Sequence, residues 1–288
     1  AKAENPFAFD VHGKQRKPQD YYDGIKQKFA RERDVRLDYR PEGTAQFTSD
    51  LEGDLEKYAV DPNGEEWTPR ELLHDTVECL FIGGGFSALL TSARLRQVGV
   101  ESIRIVERGA DVGGTWYWNR YPGARCDIES MQYAYSFSPE LEQDWEWTER
   151  YATQPEILRY ANHVADRFDL RRNIQFNTRV ATAIFDETGS RWIIETSDRG
   201  RTSATYCVIA TGCLSTINTP NFEGLDSFAG SLYHTGEWPH HEIDFSGQQV
   251  GIIGTGSSAI QSIPLIARSE EHTSELQSRT NLVCRLLL

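Results

Sequence analysis

At 288 residues, 39% of them apolar and 25% charged, the chain has material for about two globular domains. With 43 Asp and Glu against 30 Lys and Arg, its formal net charge of −13 disfavours nucleic acid and anionic membrane surfaces as partners. No apolar run approaches the roughly 18 to 20 residues of a membrane span, and the N-terminus lacks an apolar stretch behind a basic start. The expectation is therefore a cytoplasmic protein.

Five cysteines, Cys79, Cys126, Cys207, Cys213 and Cys284, form no C-x-x-C pair. Such an odd scatter suits a reducing compartment better than a disulfide framework, and it supplies no metal-ligand set.

Residues 1–70 are polar and turn-rich and read as an N-terminal extension. One helix is expected near Asp20 to Arg33, carrying Tyr22, Ile25 and Phe29 on one side. Asp61-Pro62-Asn63-Gly64 predicts a turn, and Thr68-Pro69 could cap a short helical turn.

The next segment, 71–213, carries the first strong pattern. Val77 to Ile82 is a short apolar run ending on Gly83-Gly84-Gly85-Phe86-Ser87-Ala88, and apolar residues then recur at Phe86, Leu89, Leu90 and Ala93. That is strand, tight turn, helix. A second strand, Ser102 to Val106, stops on Glu107, close to the offset of about 20 residues at which a dinucleotide fold places its ribose-binding acid. In that reading Gly83 lets the chain turn, Gly85 lets the backbone approach a pyrophosphate, and the helix N-terminus offers N–H groups. Ala88 takes the place of the third glycine and still permits close packing. These residues alone also fit an ordinary glycine-rich βαβ turn.

Pro155 to Phe168 predicts a helix with Ile157, Leu158, Ala161 and Val164 on its buried face. Val180 to Phe185, Trp192 to Thr196 and Thr205 to Ile209 predict three strands of a small meander, separated by Asp186 to Ser190 and Asp198 to Gly200. The last leads into Ala210-Thr211-Gly212.

A second glycine pattern opens the segment 214–267. Gln249 to Ile253 predicts a buried strand, followed by Gly254-Thr255-Gly256-Ser257-Ser258-Ala259 and a helix through Ile260 and Ile263. Two such patterns imply two nucleotides, economically FAD on the first and a nicotinamide cofactor on the second.

The run Gly113 to Asp127, GGTWYWNRYPGARCD, and the pattern Phe228-x-Gly230-x-x-x-His234-x-x-x-Trp238-Pro239 resemble the flavin-dependent Baeyer–Villiger monooxygenases, nearest the phenylacetone and cyclohexanone monooxygenase group. The resemblance covers about Val77 to Ala267. It implies an α/β flavoprotein with two dinucleotide-binding, Rossmann-like domains, FAD on 71–213 and NADPH on 214–267, the second incomplete. The implied reaction inserts one oxygen atom of dioxygen into a ketone through a C4a-peroxyflavin, giving an ester or lactone. The family's positive group beside the peroxide is an arginine, which no residue before Ala267 matches.

The cofactor-binding set that the resemblance implies includes Gly83, Gly85, Ser87, Ala88, Glu107, Gly114, Thr115, Trp116, Trp118, Arg125, Cys126, Asp127, Tyr133 and Val180. Around the second turn it includes Gly254, Thr255, Gly256, Ser257, Ser258 and Gln261. Asp127 matches the family's active-site acid, with an arginine as its expected partner, and His234 a residue acting in domain coupling rather than as a base. Read without the resemblance, Asp127 is a solvated loop acid, His234 a satisfied histidine, and Trp116, Trp118 and Tyr121 core aromatics.

Residues 268–288, beginning Arg268-Ser-Glu-Glu-His-Thr-Ser-Glu-Leu-Gln-Ser278, depart from the family and resemble one reading frame of a sequencing adapter, so they read as a non-native tail. The expectation is then that the strand at Gln249 to Ile253 lacks a partner, that Ile252, Ile253 and Ile263 are exposed, and that the chain by itself is not a working oxygenase. An N- or S-oxygenating flavin monooxygenase, or a fragment without function, are the alternatives. A disulfide reductase is disfavoured because no redox cysteine pair follows the first glycine turn.

Overall fold

The computed structural model describes residues 23–24, 27–28, 30–31, 61–62, 73–217, 222–268, 275–279 and 283–287. The chain divides into two units, Ala1–Leu55 and Glu56–Leu288. In the first, Asp23, Gly24, Gln27, Lys28, Ala30 and Arg31 are helical, within the span where a helix is expected. Tyr22, Ile25, Phe29, Asn63-Gly64 and Thr68-Pro69 lie outside the described residues.

The second unit is built on one mixed sheet. Strand β1 (His74–Ile82) lies at its centre, paired in parallel with β2 (Ile103–Val106) on one side and β6 (Arg201–Ile209) on the other. The full order is β3-β2-β1-β6-β5-β4, with β3 (Ile174–Gln175) at one edge and β4 (Val180–Asp186) at the other, next to β5 (Arg191–Thr196). Cys79, Leu80 and Phe81 are all buried in succession, as a strand covered on both faces requires.

The three meander strands appear where the alternation predicts them, with one difference. β6 begins at Arg201 rather than Thr205, because it serves two partners: its first residues pair antiparallel with β5, and its whole length pairs parallel with β1. The meander is thereby continuous with the nucleotide-type sheet.

Helix α1 (Phe86–Gln97) buries Ala88, Leu89, Ser92 and Ala93. Further along, after the short helices α2 (Thr115–Trp118), α3 (Ser130–Tyr133) and α4 (Pro139–Asp144), helix α5 (Gln154–Arg167) buries Ile157, Tyr160, Ala161, Val164 and Ala165. The spacing i, i+3, i+4, i+7, i+8 in α5 is one helical face. Both helices share a core with Cys79 and Phe81 of β1 and Ile103 and Ile105 of β2. Pro155 stands in the first turn of α5, where its missing N–H costs no helical bond.

The expected strand at Gln249 to Ile253 is not formed. These residues are irregular, Val250 and Ile252 half-buried and Ile253 70% exposed. An extended segment becomes a strand by hydrogen-bonding to a neighbour, and no other described strand pairs with this one. The helix that follows does form, as α6 (Ser257–Arg268), with Pro264 inside it. It is held by Ile266, which packs with Trp238 and Phe245. Of the three isoleucines expected to be exposed only Ile253 is, while Ile252 and Ile263 are half-buried; Ile260 and Leu265 are exposed. Beyond α6, β7 (Glu275–Arg279) and β8 (Val283–Leu287) pair antiparallel as a separate two-stranded sheet.

Candidate functional site

At the C-terminal end of β1 the chain turns on Gly83, whose φ of +105° favours glycine; a Cβ there would lie 2.7 Å from the Ala210 carbonyl oxygen. Gly85 is the N-cap residue of α1, which has no side-chain cap and no acidic residue in its first turn. The first N–H groups of this helix are therefore left to solvent or to a ligand, and the dipole end favours an anion. Gly114, at φ +53°, lies against Gly85: a Cβ on Gly114 would come 2.9 Å from the Gly85 Cα. Two glycine turns, both free of side chains, thus meet beside an uncapped helix start. Ser87 is exposed at this end and Ala88 is buried beneath it.

Glu107 stands one residue beyond β2 and is buried, yet its carboxylate is satisfied. One oxygen accepts from the Gly84 N–H at 2.5 Å and the other from the Gly109 N–H at 2.7 Å. Burial raises its pKa above the ordinary carboxyl value, and the two N–H donors offset this only in part. Each oxygen keeps acceptor capacity for a further donor such as a sugar hydroxyl. Gly84, to which the glycine pattern assigned no part, is the residue that ties the acid to the turn; a Cβ there would lie 3.0 Å from Glu107 Oε2.

The segment from Thr115 to Asp127 runs on from the second of these turns. Thr115 is exposed; Trp116 is buried, donates from Nε1 to the Tyr133 hydroxyl and stands edge-on to that ring, and Phe86 flanks Tyr133 in turn. Trp118 is half-buried, with the Arg108 guanidinium 4.2 Å from its ring. Cys126 is buried, and burial pushes its thiol pKa up. Val180 opens β4 and packs half-buried against the Val77 and Leu80 cluster. Trp116 belongs to a core cluster with Cys126 and Ile157, and Tyr133 packs half-buried against it.

Asp127 is exposed, and its Oδ1 accepts from Gln261 Nε2 at 2.8 Å. The arginine that the resemblance implies as its partner matches no residue before Ala267, and in this chain the contact is an amide. The neighbouring Arg125 guanidinium is 3.5 Å from Glu149 instead. His234 is half-buried and caps the short turn Thr235–Glu237, its Nδ1 accepting from the Gly236 N–H at 3.0 Å. The two residues expected to be catalytic therefore have separate partners.

Around the second glycine turn the picture is open. Gly254 has φ +119°, and nothing lies within 4 Å of a Cβ placed on it or on Gly256. Thr255 and Ser257 are exposed and Ser258 half-buried. His240, one residue beyond the Trp238-Pro239 end of the second motif, stands edge-on to Tyr117 at a centroid distance of 5.7 Å. Burial and the Arg120 charge hold its pKa below the usual histidine value. A cavity of about 530 Å³ is lined by Arg120, Gln154, Leu158, Arg159 and His163 among others, and includes no residue of either glycine turn. Among the described residues no cluster of His, Cys, Asp or Glu is placed to hold a metal, and no helix is long and apolar enough to cross a membrane.

The model of a family described as pyridine nucleotide-disulphide oxidoreductase matches residues 80–280. A Baeyer-Villiger monooxygenase of Streptomyces coelicolor is 39% identical over 256 residues, which are 85% of this chain and 41% of that protein. A solved structure titled oxidized steroid monooxygenase bound to NADP is 55% identical with a TM-score of 0.64, over 68% of this chain and 38% of that one. Another, of OTEMO in complex with FAD and NADP, is 38% identical with a TM-score of 0.63, over 68% of this chain and 38% of that one. The chain thus spans about two fifths of the length of the relatives it matches.

Proposed function

The chain belongs to the pyridine nucleotide-disulphide oxidoreductase family, and from that premise we propose that the protein it represents is an FAD- and NADPH-dependent Baeyer–Villiger monooxygenase acting on a small-molecule ketone with dioxygen. The observation that carries this reading is the junction at Gly83–Gly85, where a buried acid on two glycine-loop N–H groups meets an uncapped helix start. It fits the ribose and the pyrophosphate of a dinucleotide. The names of the relatives supply the reaction class, and the acidic composition fits a cytoplasmic enzyme.

In this reading residues 71–213 hold FAD and 214–267 begin the NADPH domain. FAD, when bound, supplies the redox centre that takes up hydride and activates dioxygen. Glu107 holds the ribose, the first turn of α1 and Gly114 receive the pyrophosphate, and Trp116, Trp118 and Tyr133 wall the cofactor. Asp127 orients groups facing the ketone, Gly254 to Ser258 receive the second nucleotide, and His234 couples the two parts. The chain of 288 residues by itself binds flavin weakly and forms no coupled product, since Gln249–Ile253 pairs with no strand among the described residues and Ile253 is exposed.

The test is to purify this chain and a gene product of the relatives' full length, then measure bound flavin, NADPH oxidation and product from a cyclic ketone and from an amine. Ester from the ketone by the long protein only is the expected result; oxygenated amine alone would transfer the assignment to N-oxygenation. In the long protein Glu107→Ala should lower FAD affinity by about 1–3 kcal/mol. Asp127→Ala should slow NADPH oxidation and separate it from ester formation while flavin content is kept.

A further inference from the structure

The side-chain amide of Gln261, on α6, spends all its hydrogen-bonding capacity on one loop. Oε1 accepts from the Tyr121 hydroxyl at 2.9 Å and the Arg125 N–H at 3.3 Å; Nε2 donates to the Arg125 carbonyl at 3.2 Å and to Asp127 Oδ1 at 2.8 Å. A carboxamide has two N–H donors and two acceptor lone pairs, so these four bonds leave nothing over. Two of them take both main-chain polar groups of Arg125, as a neighbouring strand would.

The approach is close enough to require glycine in the loop. Gly123 has φ +78°, and a Cβ there would lie 2.3 Å from the Gln261 carbonyl oxygen. Apolar contact shares in this docking, since Tyr121 packs on the Trp238, Phe245 and Ile266 cluster, but it is limited: Ile260 is 68% exposed and Leu265 41%. The four bonds add what that cluster lacks, direct ties from the helix to Arg125 and Asp127.

We propose that Gln261 is a positioning residue, which docks α6 on the Tyr121–Asp127 loop and sets the place of the Asp127 carboxylate. Because α6 begins directly after Gly254–Gly256, a shift of this helix carries the partner of Asp127 with it. A nucleotide that engaged the Gln261 amide would have to break one of the four bonds. That Asp127 matters to the chemistry rests on the function proposed above; the clamp itself does not.

The clamp can be tested by hydrogen exchange on the 288-residue chain. Gln261→Leu keeps a good helix former but leaves the Arg125 N–H without its acceptor, so exchange across Tyr121–Asp127 should rise about tenfold while β1 and α1 stay as in wild type. Gln261→Glu keeps both acceptors, loses both donors and sets a carboxylate against Asp127, and should raise exchange to a similar extent. Adding Asp127→Asn returns a donor opposite that carboxylate. The double variant Gln261→Glu, Asp127→Asn should therefore fall back to within about threefold of wild type, a rescue that loss of packing alone would not give. The proposal is overturned if Gln261→Leu leaves the loop within about twofold of wild type, or if the double variant exchanges as fast as Gln261→Glu. Should the exchange results hold while Gln261→Leu leaves NADPH oxidation and ester formation unchanged in the full-length protein, the clamp stands and the role given to Asp127 fails.

Discussion

The two glycine turns share a sequence pattern and differ in what surrounds them. Before Gly83, Phe81 is fully buried in a strand with parallel neighbours on both sides; before Gly254, Ile252 is half-buried in an irregular segment. Gly83 is pressed against Ala210, and Gly84 is tied to Glu107, whereas nothing lies within 4 Å of a Cβ on Gly254. The shared positive φ at Gly83 and Gly254 is a local property of the glycine pattern. The ladder, the acid and the packing are supplied from elsewhere in the chain, and only the first turn has them.

Four predictions, made with six substitutions, test this contrast, each read by denaturant unfolding of the 288-residue chain. The largest effect is expected from Phe81→Ala, which should cost about 3–5 kcal/mol, against under about 1 kcal/mol for Ile252→Ala two residues before the second turn. Equal losses would show that the second segment is as well built as the first. Next, Gly83→Ala should cost about 2–4 kcal/mol, since the methyl group meets the Ala210 carbonyl and the φ is unsuited to it. The same change at Gly254 should cost under about 1 kcal/mol, because the open segment can relax.

Glu107→Gln comes third, at about 1–3 kcal/mol, because an amide nitrogen cannot accept from Gly84 or Gly109. Its pH dependence is specific. Burial raises the folded carboxyl above its ordinary 4.5, so in a window opening there the folded chain holds a proton the unfolded chain has lost. Wild-type stability should then fall as pH climbs from about 4.5, and the gap to Glu107→Gln should narrow; a gap that widens would mean the N–H donors outweigh burial. The smallest effect is Ile253→Thr, within about 0.5 kcal/mol, as its side chain is 70% exposed.

The legible parts of the fold were those with a period. Apolar spacing at Ile157, Ala161 and Val164 marks α5 to within one residue at each end, and the glycine run after Ile82 marks the β1–α1 junction. Glu107 was legible too, from its place after β2. Less legible was the partner of each group. The arginine that the resemblance implies for Asp127 matches no residue before Ala267, and within this chain the carboxylate is held by Gln261, 134 residues along. His240 against Tyr117, and Gly84 under Glu107, have no local signal either, because pairing across such separations leaves no periodicity.

Which segments turn, which faces are apolar, and that two nucleotide-type glycine patterns stand in one chain can be read from φ preferences and side-chain spacing within a few residues. Only the tertiary structure decided that β6 joins meander and central sheet, that Gln249–Ile253 stays irregular, and that Gln261 holds Asp127. A strand ladder or a polar side chain's seat is completed by a hydrogen-bond partner, and the partner's presence is a property of the folded chain.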